Sequence, residues 1–198
     1  ADAITAANTN APVGGCTTGS GTDTLNLTAD IVLAAALPNI TTPVTIEGNG
    51  HTISRSSATN FRILTVSSSN LTLNSATISG GAGGVTGGGV FAFLSTVTIT
   101  NSVIVGNSAR EGGGIRSDTS TLTITNSTIS GNTAFDSTGR SGGGILATGS
   151  PVTILNSTIS GNSVGGATAG QGTGGGIYQI SNSLVVTNST ISGNSAGN

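Results

Sequence analysis

Charge is scarce in this sequence. Charged residues make up 6% of its 198 positions, against about 25% in an ordinary soluble domain. Five arginines and no lysine stand against seven carboxylates, for a net charge of −2. No basic face is available to track a phosphate backbone, so nucleic-acid binding is not expected. Low net charge with 34% apolar content also excludes a chain held disordered by self-repulsion. Methionine and tryptophan are absent and aromatics amount to 3%. That poverty argues against a hydrophobic ligand pocket and against a base-stacking platform. A single cysteine, Cys16, rules out an internal disulfide. It sits in a Gly/Thr-rich turn with no base or cation nearby to activate it. The most apolar window, 31–37 (IVLAAAL), ends at Pro38 and is far too short to cross a bilayer. The chain opens without a charged, then apolar, leader pattern. The expectation is a mature secreted chain, extracellular or at the cell surface, with no membrane insertion.

Glycine, at 33 residues, is abundant, but no G-x-y period exists, which excludes collagen. Self-comparison finds the order instead. Four segments superimpose: 97–109 (VTITNSVIVGNSA), 122–134 (LTITNSTISGNTA), 152–164 (VTILNSTISGNSV) and 184–196 (LVVTNSTISGNSA). Two weaker copies precede them at 71–81 and 44–54. A glycine triplet and an apolar residue run before each strong copy, beginning at Gly87, Gly112, Gly142 and Gly174. Alternating Thr, Ile and Val mean strands; the NS, GN and GGG steps mean turns. Three short strands per unit cannot bury a face alone, yet can when stacked coil on coil.

The expected fold is therefore all-β: a single-stranded, right-handed parallel β-helix of about five to six coils. Residues 1–21 read as a polar leader without register, 22–43 as an N-terminal cap, and 44–198 as coils. No window shows helical periodicity. Stacking places Asn101, Asn126, Asn156 and Asn188 in one corner ladder, and Asn107, Asn132, Asn162 and Asn194 in a second. Such ladders satisfy amide groups between coils. The glycine triplets suit tight corners with positive φ and close approach of coils. Unit length grows in one place, so segments 133–141 and 163–173 are expected as loops outside the strand register.

These residues carry a resemblance. The units GGGI…LTITNSTISGNTA resemble repeats of polymorphic outer-membrane proteins and related bacterial secreted β-helix proteins. Segment 23–53 is similar to the capping region of secreted proteins with a CSLREA motif, although that motif is absent and only Cys16 lies near its place. The resemblance covers about 22–198 and implies the fold. It carries over no catalytic residue, because those families are mostly surface, adhesive or uncharacterised.

The ionisable groups fit no enzyme pattern. Polysaccharide cleavage on a β-helix asks for paired or clustered carboxylates. Asp2, Asp23, Asp30, Glu47, Glu111, Asp118 and Asp136 are dispersed. Glu111 and Asp118 are expected to pair with Arg110 and Arg116 on a solvated surface. His51, in Asn49-Gly50-His51-Thr52, reads as a turn residue in the first coil. No catalytic, metal or cofactor site is expected. The sequons at Asn26, Asn39, Asn70, Asn126, Asn156 and Asn188 are by-products of the turn sequence, those in the ladder being poorly accessible. Thr96/Thr98/Thr100 and Thr121/Thr123/Thr125 form a hydroxyl array that Pro151, Leu155, Val185 and Val186 interrupt. Tyr178 is either a partner contact or a packed rim residue.

The functional expectation is a non-enzymatic stalk, adhesin or fibre subunit. A carbohydrate-binding or carbohydrate-cleaving β-helix is the alternative, and an ice-binding solenoid a further one. Self-association is expected head to tail. Ile4, Thr5 and Ala6 would supply a strand to the last coil, at Ser195, Ala196 and Asn198 of the next subunit. Glycan or cell-surface partners remain open.

Overall fold

The computed structural model describes residues 1–135, 140–165 and 173–196. Its chain winds through coils whose strands stack in parallel on their counterparts above and below. The first sheet has seven strands, running Asp23–Asn26, Val44–Glu47, Asn70–Asn74, Thr96–Thr100, Thr121–Thr125, Val152–Leu155 and Leu184–Thr187. The second also has seven, from Ile31–Leu33 to Thr190–Ser192. Two-residue strands beginning with Ser108–Ala109 form a third sheet. Five strands from Leu64–Ser67 to Ile177–Ile180 form a fourth, closing about five full turns.

Register follows the repeat alignment throughout. Leu122 pairs with Val97 on one side and Val152 on the other, and Val152 pairs with Leu184. The weak copies stack likewise, Val44 on Leu71 and Leu71 on Val97. Alternation decides which side chains enter the core. Leu71, Val97, Leu122 and Val152 form one buried column; Ile78, Ile104, Ile129 and Ile159 form another. Each column is covered above and below by like residues, so β-branched and γ-branched side chains fill it without polar atoms.

Three expectations need correction. Residues 2–9 form an α-helix, Asp2–Thr9, instead of an unstructured leader. Its eight residues are too few for a periodicity search, and its stability comes from tertiary packing of Ile4, Ala6 and Ala7, which are buried. Asn8 ties it to the coil: its Oδ1 accepts from Thr41 N–H at 2.9 Å, and its Nδ2 donates to the Asn39 carbonyl at 2.6 Å. Next, 22–43 is already a rung. Asp23–Asn26 pairs with Val44–Glu47 and Ile31–Leu33 with Thr52–Arg55. The cap is the helix. Finally, 133–141 and 163–173 were expected to lie outside the register, but Thr133–Ala134 pairs with Ser163–Val164, and Ser141–Gly142 with Thr173–Gly174. The remaining parts, 136–139 with Asp136 and 166–172, lie outside the described residues, as does Asn198.

One rule governs the corners. Ser75, Asn101, Asn126, Asn156 and Asn188 all have φ near +50°, as do Ser68, Leu94 and Thr119 at another corner. Gly80, Gly106, Gly131, Gly161 and Gly193 hold the same conformation at a third. Asn and Gly tolerate this left-handed state best, which is why NS and GN recur there. The residue that follows each of them points inward. Backbone pairing also reverses across the corner: Asn126 N–H donates forward to Leu155, whereas Thr128 N–H donates back to Ser102. The N–H between the two has no backbone acceptor and needs a side chain.

Candidate functional site

The side chains that meet this need are the chain's most ordered polar feature. Asn107, Asn132 and Asn162 are buried, and each amide is fully used. Asn132 Nδ2 donates to Asn162 Oδ1 at 2.9 Å and to the Ile104 carbonyl at 2.9 Å. Its Oδ1 accepts from Asn107 Nδ2 and from Asn107 N–H, both at 3.0 Å. Asn162 repeats the pattern onto Asn194, whose Nδ2 reaches the Ile159 carbonyl at 2.9 Å.

The ladder expected at the NS corner is not continuous. Asn101, Asn126, Asn156 and Asn188 are exposed. Asn101 Nδ2 donates to Asn74 Oδ1 at 3.1 Å and Asn126 Nδ2 to Asn101 Oδ1 at a long 3.4 Å. Among the described residues no side-chain bond continues to Asn156 or Asn188. These residues take the left-handed corner and face water, so the sequons at Asn126, Asn156 and Asn188 are accessible. The buried ladder at that corner is built from their neighbours. Ser102 N–H donates to Ser127 Oγ, Ser127 N–H to Ser157 Oγ and Ser157 N–H to Ser189 Oγ, all at 3.0–3.1 Å. A third ladder joins Ser69, Ser95, Ser120 and Ser150. Ser69 Oγ is left without a partner where that ladder ends. Both serine ladders were missed, although in the strong copies the serine of the NS pair recurs as faithfully as the asparagine.

Glu111 and Asp118 were expected to pair with Arg110 and Arg116 on a solvated surface; both instead meet Arg116, in a cluster that is largely buried. Arg116 Nη1 bonds Glu111 and its Nε bonds Asp118, each at 2.6 Å. His51 lies at a corner of the second rung, with Nδ1 3.3 Å from Asp30 Oδ1 of the first. Thr52 N–H donates to the same oxygen at 2.9 Å, and this bond holds the Asp30 carboxyl below the usual range. Arg62 lies over the Phe91 ring at 4.7 Å, and burial lowers its pKa. Among the described residues no three His, Cys, Asp or Glu side chains gather as metal ligands. Tyr178 is half-buried beside Leu146.

The threonine array is longer than expected. Thr24, Thr45, Thr72, Thr98, Thr123 and Thr153 stack in one outward column that ends at Val185. Leu155 belongs to a flanking column, and Val186 pairs with Ile154 in the inward one.

The two ends of the solenoid differ. Under the N-terminal helix lies a cavity of about 430 Å³ lined by aliphatic side chains, contrary to the expectation of no hydrophobic pocket. Its apolar wall is leucine, isoleucine and alanine, so scarcity of aromatics was no guide, and Cys16, Thr17, Thr18, Asp23 and Asn26 add a polar side. At the C-terminal end the last rung is open. Leu184, Val186 and Ile191 continue buried columns, yet are 39%, 39% and 49% exposed. Among the described residues, Ser189 N–H and Asn194 N–H find no acceptor. Ser195 and Ala196 pair with Ser163 and Val164 of their own chain. Ile4 and Ala6 are buried in the helix and offer no free strand, so the anticipated strand exchange through Ile4, Thr5 and Ala6 is corrected.

Parallel rungs, inward aliphatic columns and corner ladders define a β-solenoid of the parallel β-helix class. The chain belongs to the right-handed β-helix region family, whose model matches residues 39–197. No curated protein and no solved structure matches it.

Proposed function

We propose that the chain is an extracellular, non-enzymatic structural module, a stalk or adhesin segment related to bacterial surface β-helix proteins. One observation carries the proposal: the buried polar side chains of the rungs are spent on bonds between coils, as Asn132 on Asn162 and Ser157 on Ser127, while the inward columns are aliphatic. Repeats that contact only their neighbours in this way build an extended scaffold. Head-to-tail self-association would continue the same stacking from one subunit to the next.

Light scattering over a concentration series tests this. The wild-type mass should grow with concentration, while Val186→Lys and Ile191→Lys stay monomeric with nearly unchanged Tm. A wild-type protein that remains monomeric at millimolar concentration contradicts self-association. Release of defined products from pectin, alginate or chitin would replace the structural reading with the carbohydrate-active one.

A further inference from the structure

A second concavity follows the corner between the fourth sheet and the first. It is an open groove of about 440 Å³, within the range of about 300–1,000 Å³ typical of small-molecule sites. Five successive rungs line it, from Thr41 and Pro43 through 68–70, 94–96 and 119–121 to Gly149 and Pro151. It therefore runs along the solenoid axis for four rung spacings, about 19 Å. No charged and no aromatic residue lines it. Its wall carries Thr41, Ser68, Asn70, Thr96, Thr119 and Thr121, whose side chains make no hydrogen bond among the described residues. Each of these hydroxyls and the amide can both donate and accept. Pro43, Leu94 and Pro151 add apolar surface. The backbone of this corner, by contrast, is already satisfied. Ser68, Leu94, Thr119 and Gly149 N–H groups donate to the carbonyls of Phe93, Asp118, Thr148 and Ile180 in the next coil, at 2.8–3.1 Å.

We infer that this groove holds a neutral, linear oligosaccharide lengthwise without cleaving it, an inference that deepens the adhesin reading above and rests on it. The lining selects this occupant. A peptide strand recognised by main-chain pairing finds these N–H groups already taken. A polyanionic glycan finds no cation to meet its charge. A planar ligand finds no ring to stack on. A neutral glycan supplies what the groove can use: hydroxyls recurring along a chain, set against free hydroxyls recurring from rung to rung. Its C–H faces meet Pro43, Leu94 and Pro151. No carboxylate lines the groove, so the acid and base of glycoside cleavage are not at hand.

Cellohexaose, maltohexaose, mannohexaose and chitohexaose, with hexagalacturonate as the charged comparator, are titrated into the intact protein by calorimetry. Amide NMR shifts locate any site. At least one neutral hexamer should bind saturably and about tenfold or more tighter than its own disaccharide, with hexagalacturonate below detection. Shifts should concentrate at Asn70, Thr96 and Thr121, and the hexamer should be recovered intact. Thr96→Val with Thr121→Val keeps the shape of the wall and removes two hydroxyls, which should weaken that hexamer about tenfold with Tm retained. Thr98→Val with Thr123→Val, in the adjacent outward column, should leave it unchanged. Absence of saturable binding by all four neutral hexamers overturns the inference and leaves the structural module standing. Equal weakening by both pairs of substitutions also overturns it. Release of shorter products overturns the inference and the non-enzymatic reading together. Should the first pair fail to fold, wild-type shifts outside the groove, or tighter binding of hexagalacturonate, overturn it alone.

Discussion

Asn132→Asp is expected to lower stability at pH 7 by several kcal/mol, while Asn126→Asp, six residues earlier in the same repeat, should change it by less than about 0.5 kcal/mol. Asn132 is 0% exposed and makes four hydrogen bonds. A carboxylate there keeps both acceptor bonds from Asn107 but loses both donors. Its new oxygen then faces the Ile104 carbonyl and Asn162 Oδ1, which Asn132 Nδ2 approaches at 2.9 Å in the native protein. Repulsion and dehydration both favour the protonated acid, so the folded-state pKa of the introduced carboxyl lies above its unfolded value of about 3.9. The folded state then binds more protons than the unfolded one, and stability falls as pH rises through that range. The deficit should be largest at neutral pH and smallest near pH 3. Asn126 faces water in a left-handed conformation that Asp also tolerates. Urea unfolding of both variants at pH 7 and pH 3 checks the contrast. Equal effects at neutral pH would show that the buried ladder does not hold the corner.

Gly113→Ala should be comparably severe, at about 3 kcal/mol or more, for a steric reason. A Cβ at Gly113 would lie 2.4 Å from the Thr133 carbonyl oxygen and 2.5 Å from that of Gly143. Both are backbone atoms of the next coil, and neither can swing aside. The neighbouring Gly114 faces the ladder instead, where a Cβ would meet Asn132 Cγ at 3.0 Å. Glycine is required at these positions by closeness of coils, because neither has positive φ. Gly131 is the control. Its φ is +60° and nothing lies within 4 Å of its added Cβ. Gly131→Ala should cost only about 1–2 kcal/mol from backbone strain, and Gly131→Asn still less, since Asn holds the same conformation at position 126. Melting temperatures of the three variants should rank in that order, with Gly113→Ala lowest.

Recurrence made register legible: where six copies of a segment align, their strands stack in that alignment. Recurrence could not say which residue of each pair turns inward, because Asn126 and Ser127 repeat equally well. The physical signal was the left-handed corner. In the four strong copies the first residue of NS or GN takes positive φ and faces out, so the second is aimed into the core. That places Ser127 and Asn132 inside and Asn126 outside, and applied consistently it would have found the serine ladder through 102, 127, 157 and 189. The helix at 2–9 was hidden for a different reason. DAITAANT carries too few residues to establish a period, and the helix is held by Ile4, Ala6 and Ala7 packing on a rung far along the sequence. The first rung was obscured because Asp23–Asn26 and Ile31–Leu33 lack the NS and GN corners that mark later coils. The cavity beneath the helix arises from the fit between those two elements, which no local pattern encodes.

Amide hydrogen exchange, followed by NMR in dilute solution, tests the ladder account most directly. Ser127 and Asn132 N–H groups donate to side chains of the following rung, at 3.1 and 3.0 Å, and should exchange only on global unfolding. Ser189 and Asn194 hold the same places in the repeat but lack that acceptor among the described residues. Their amides should exchange orders of magnitude faster, and should slow as concentration rises if the last rung is a joint. Fast exchange at Asn107, Asn132 and Asn162, comparable with that at Asn194, would contradict an account in which buried side-chain ladders hold the coils together.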